Sequence, residues 1–98
     1  MSVKIELERA NKVHPLFNSS HEAYAVIKEE AEEAELEMEH IKDSVRIFWK
    51  SVKYDDSAKN MCRFLHGIKE IAIDLAAEAI QVAAMAQKAI DSIEVKQK

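Results

Sequence analysis

From Leu16 to Lys98 the chain contains no proline and a single glycine, Gly67. A fold of many short strands needs turn-formers about every ten residues, so this stretch excludes one. Glu, Ala, Lys, Ile and Met dominate the 98 residues, and all but Ile are among the better helix-formers. The expectation is one all-α domain spanning residues 1–98. A lone helical hairpin of this length leaves much apolar surface wet, which predicts self-association.

Charge and composition narrow the function classes. The formal net charge is −4 and the longest basic stretch is the C-terminal "KQK", so no basic face exists for a nucleic-acid backbone. No apolar run is long enough to span a bilayer, and no signal-peptide pattern is present. The single Cys62, set in "NMCRFL", reads as a core thiol of a cytoplasmic protein rather than a nucleophile.

Three helical tracts follow from the pattern. Residues 2–13 suit a short leader helix with Val3, Leu7 and Ala10 on one side, stopped at His14–Pro15. Ser19 and Glu22 have capping-box spacing, which places a helix start near Ser20. From there Ile27, Ala31, Ala34, Met38, Ile41, Val45, Phe48 and Val52 advance by fours and threes and stack on one face. The tract "YDDSAKN" interrupts, with Asp56 or Ser57 as the next cap. A second long tract then presents Met61, Leu65, Ile68, Ala72, Leu75, Ala79, Val82 and Ala86, with Gly67 placed to kink or divide it. The expected architecture is two long antiparallel helices plus a short leader, completed as a bundle by a second copy. The alanines of 76–89 permit close helix–helix approach within it.

Residues 26–40, "VIKEEAEEAELEMEH", hold seven glutamates. On a helix such a run is either a solvated face or the ligand set of a hard divalent cation. Relative to the centre of the apolar face, Glu30 lies about 50° away, Glu37 about 70° and Glu33 about 110°, all to the same side. Glu29 and Glu32 point to solvent. On the second helix Asp74, Glu78 and Gln81 share a stripe at i, i+4, i+7, with Glu78 about 75° from the apolar centre. Two acidic stripes meeting at one edge would offer the oxygen ligands that Mg²⁺ or Mn²⁺ prefers.

These same residues carry a family resemblance. "EEAEE" (29–33) resembles the E-x-x-E element of the all-α nucleoside triphosphate pyrophosphohydrolases, the MazG-like superfamily, and "EAIQVAAMA" (78–86) sits where that superfamily has E-x-x-D. "HEAYAVIKEEAEE" followed by "AEAIQVAAMAQKAI" is similar to small members found in phages and prophages. The matched segments cover about thirty residues. The resemblance implies a helical dimer or tetramer that uses Mg²⁺ to cleave a nucleotide between its α- and β-phosphates. By position it assigns Glu30, Glu33 and Glu78 as metal ligands. Glu29, the preceding acid, is the candidate water-positioning base. Gln81 occupies the place of the family's Asp and brings no charge; Asp74, one turn before Glu78, is placed to compensate. Lys28, Lys88 and Trp49 are candidate substrate contacts, the lysines for phosphate and the indole for a base. A rival reading is a scaffold of this type that has lost the full ligand set and acts through protein contacts.

The remaining singled-out residues have plainer expectations. His14, His40 and His66 lack zinc spacing, and His21 suits the first turn of the first long helix. Phe48, Tyr54 and Met85 suit a core or a subunit interface.

Overall fold

The computed structural model describes residues 3–5, 8 and 16–97, and it is all-helical. Val3–Ile5 and Glu8 are helical. The rest of the expected leader, with Leu7 and Ala10, and the His14–Pro15 stop lie outside the described residues. Two long helices follow, α1 (Ser20–Lys53) and α2 (Ala58–Gln97).

Local chemistry sets their ends. Ser19 is extended, with φ −154°, and its Oγ accepts the Glu22 N–H at 3.1 Å, so α1 starts where the capping spacing put it. At the other end the Asp56 N–H donates to the Ser51 carbonyl at 2.9 Å and the Asp55 N–H to the Val52 carbonyl at 3.3 Å. This pair of bonds is a Schellman closure, and it puts Asp55 at φ 52°, in the left-handed region. Ser57 then caps α2, its Oγ accepting the Asn60 N–H at 3.1 Å. Asp56 ties the turn together. Its Oδ2 accepts from the Ser51 hydroxyl at 2.8 Å, and its Oδ1 from the Ser57 N–H at 2.8 Å and the Asn60 amide at 3.0 Å. α2 runs unbroken through Gly67, so the division considered there is absent.

The two helices pack on each other along their length. The Phe17 N–H, just before α1, donates to Ser92 Oγ at 2.9 Å, and Lys96 bonds the Asn18 carbonyl. The Cα extents of 64 × 26 × 14 Å describe a layer one helix thick. Such a layer has little interior. Among the described residues the buried apolar ones are Phe17, Ala23, Ala84 and Met85, with Val26, Ile27 and Ala89 against them.

The seam itself corrects the expected faces. Ala23, Ile27, Glu30, Ala34, Glu37, Ile41, Ser44, Phe48 and Ser51 are the covered line of α1. Ile27, Ala34, Ile41 and Phe48 therefore belong to it as expected, but Ala31, Met38, Val45 and Val52 are exposed. On α2 the line includes Met61, Phe64, Ile68, Ile71, Leu75, Glu78, Val82 and Met85, while Leu65, Ala72 and Ala79 lie open. Each helix carries two adjacent apolar lines, and the partner helix covers the one nearer the acids. Cys62 is exposed rather than a core thiol, because it stands about 100° round from Met61 on that helix.

Candidate functional site

Two seam positions, Glu30 on α1 and Glu78 on α2, are half-buried carboxylates, and Glu33 stands one turn after Glu30 at the seam's edge. One carboxylate oxygen from each comes within 4.8 Å of the other two. Oxygen ligands of an octahedral Mg²⁺ at 2.0–2.1 Å stand about 3 to 4 Å apart, so only a small contraction separates the three groups from that spacing. They are the acids that the resemblance assigned as ligands.

The electrostatics of the cluster are unfavourable as it stands. Glu78 Oε2 is buried with no hydrogen-bond partner. An unsatisfied carboxylate oxygen out of water costs free energy, and a cation or a proton relieves it. The Glu33 carboxyl is held above its ordinary range, first because a proton on it bonds Glu78 and then because of the Glu78 charge, with desolvation and Glu29 adding to the same direction. Among the described residues no Lys or Arg forms an ion pair with Glu30, Glu33 or Glu78. Hard oxygen donors, excess negative charge and an orphaned oxygen fit a divalent cation better than a structural ion pair.

The other residues singled out in the sequence lie around or away from this point. Glu29 is exposed on α1 and stays outside the convergent trio, acting on it through charge. Gln81 is half-buried one turn after Glu78, and Asp74 is exposed one turn before it. Lys28 pairs with Glu32 at 3.7 Å, an exposed i,i+4 contact of small energetic weight. Lys88 Nζ sits 4.0 Å from the centre of the Phe17 ring, in a cation–π contact. Trp49 is exposed and, nineteen residues beyond Glu30, about 28 Å along the helix.

What the pattern reading missed is the polar content of the seam. Glu30, Glu37, Ser44 and Ser51 recur every seven residues and all sit in it, half-buried or buried. The seven-residue recurrence was available as a signal. Glu37 faces His40 across 4.0 Å, at the margin of an ion pair.

Comparison with protein-family models, with curated proteins and with solved structures returned no match for the chain.

Proposed function

We propose that the chain is a Mg²⁺-dependent nucleotide pyrophosphohydrolase, possessing an antiparallel α1–α2 hairpin and working as a cytoplasmic homo-oligomer. The observation that carries the reading is the convergence of Glu30, Glu33 and Glu78 around the orphaned Glu78 Oε2. The resemblance of "EEAEE" and "EAIQVAAMA" to the MazG-like motifs supports the reaction class. Contacts between Phe17 and Ser92, and between Glu33 and Glu78, support the antiparallel course. No helix among the described residues is long and apolar enough to cross a membrane.

In the proposed reaction water attacks the α-phosphorus of a nucleoside triphosphate. The bond from that phosphorus to the α,β-bridging oxygen breaks, and pyrophosphate leaves with the oxygen. Glu30, Glu33 and Glu78 would hold the cation, which when bound neutralises charge on the phosphate oxygens. Mn²⁺ has the same ligand preference. Glu29, exposed beside the trio, accepts a proton from the attacking water. Gln81 offers an amide oxygen where the family pattern has a carboxylate, so the site carries one fewer charge and holds the metal more weakly.

The test is pyrophosphate release from a panel of nucleoside triphosphates, with Mg²⁺ and with Mn²⁺. Release that is lost in Glu30→Gln and Glu78→Gln is the expected result. Restoring the carboxylate with Gln81→Asp should raise the rate, unless Asp74 already supplies the charge, in which case Asp74→Asn lowers it. A folded parent and a folded Gln81→Asp variant that are both inactive on every nucleotide would leave the scaffold reading, in which this hairpin acts through protein contacts.

A further inference from the structure

The line of α2 that its own chain leaves open has a regular make-up. Leu65, Ala72, Ala79, Ala86 and Ile93 recur every seven residues beside the seam, and all but half-buried Ala86 are exposed. Next to them Ala76, Ala83 and Ile90 are exposed at the same period. Together they trace a second stripe of fours and threes from Ala72 to Ile93, parallel to the first and without a charge. α1 has only half of this. Its flanking line of Ala31, Met38, Val45 and Val52 is apolar, but the next line holds Lys28, Glu35 and Lys42. The opposite side of the hairpin is different again. There Phe17 and Ala84 belong to the small core cluster with Val26 packed against it, and Glu33, Asp74 and Gln81 make the surface polar.

We infer that the open stripe of α2 is the seat of a second copy of this chain, whose own α2 crosses it antiparallel about a two-fold axis near Ala79. Three observations select that occupant. A layer one helix thick has only a small core of its own, and stable domains bury their apolar faces between two layers. The accessible surface is 7360 Å². That is about 1,700 Å² above the ~5,700 Å² of a compact chain of this mass, and it exceeds the roughly 800 Å² per partner of a standard stable interface. The stripe is also self-complementary. An axis at Ala79 sets Leu65 against Ile93 of the partner subunit and Ala72 against Ala86 of the partner subunit, wide residues at the ends and small ones where the helices cross. Alanine at the crossing allows axes at the near end of the usual 8–10 Å separation. The acidic trio then stays on the open, polar side of each subunit.

This inference rests on the homo-oligomer proposed above and locates it, so the experiment separates the two. Sedimentation velocity is run at tens of micromolar on the full chain, on Ala83→Glu in the stripe and on Ile47→Glu on the opposite side, with helicity followed by circular dichroism. The expected result is a dimeric parent, a dimeric Ile47→Glu and a helical, monomeric Ala83→Glu. A helical monomeric parent overturns both the oligomer and its location. A parent dimer that survives Ala83→Glu and dissociates in Ile47→Glu keeps the oligomer and overturns the location. If Ala83→Glu loses its helicity, the decision passes to Ala79→Cys in a Cys62→Ser background under mild oxidation. Inter-subunit disulfide formation supports the two-fold at Ala79, and its absence overturns it.

Discussion

Glu33 and Asp56 are carboxylates pushed in opposite directions by their surroundings. Glu33 is raised above 4.5, first because its protonated form bonds Glu78 and then because its charge faces that of Glu78. Its protonated form is the one the fold favours, so its contribution is fully present below that pH and is lost as pH rises through the raised value. Once pH has risen through that value, the Glu33 charge weakens the metal-free protein. Glu33→Gln should raise the metal-free melting temperature at pH 7, with the gain shrinking below pH 4.5, and should abolish the rise that Mg²⁺ produces in the parent. Loss of metal-free stability with an unchanged Mg²⁺ response would identify Glu33 as a structural partner instead. Asp56 runs the other way. The Asn60 amide, the Ser51 hydroxyl and the Ser57 N–H hold it below 3.8. The stability it contributes is present above pH 3.8 and fades as pH falls through the lowered value, so Asp56→Asn should flatten the acid limb of the stability–pH curve.

At the scale of the elements, the turn and the helix interior each hold one residue of the wrong backbone type. Asp55 sits at φ 52° where a Schellman closure favours glycine, and Gly67 sits within a continuous helix where alanine is favoured. Nothing lies within 4 Å of a methyl group built on Gly67. Gly67→Ala should add about 0.5–1 kcal/mol, and Asp55→Gly a comparable or smaller amount. For a chain of this length each kcal/mol raises the melting temperature by roughly 4–8 °C. Both gains are read by thermal denaturation at fixed protein concentration. A fall in either variant would mean that the residue makes a contact beyond its own helix or turn.

For the whole molecule, folding and association are expected to be coupled. A single layer with Leu65, Ile90 and Ile93 open should gain stability on pairing. The melting temperature should therefore rise with protein concentration, and a value constant over a hundredfold range would count against the coupling. Mg²⁺ at a hundred times its dissociation constant should add about 2.7 kcal/mol, if it binds only the folded chain. The two effects should be additive, because the acidic trio and the open stripe share no residue.

The two long helices and the caps that start them were legible in the chain alone. These features are local: Ser19 reaches only to Glu22, Ser57 only to Asn60, and helix propensity is a property of each residue. The apolar seam was only half legible. Ile27, Ala34, Ile41 and Phe48 belong to both possible lines, and one helix cannot say whether Glu30 and Glu37 or Ala31 and Met38 complete the set. Only the packing of α2 chose the acids. That choice moved Glu30 and Glu78 from the border into the seam and left Glu78 Oε2 without a donor. Side-chain identity is written along the chain, whereas desolvation comes only from what the opposite helix covers.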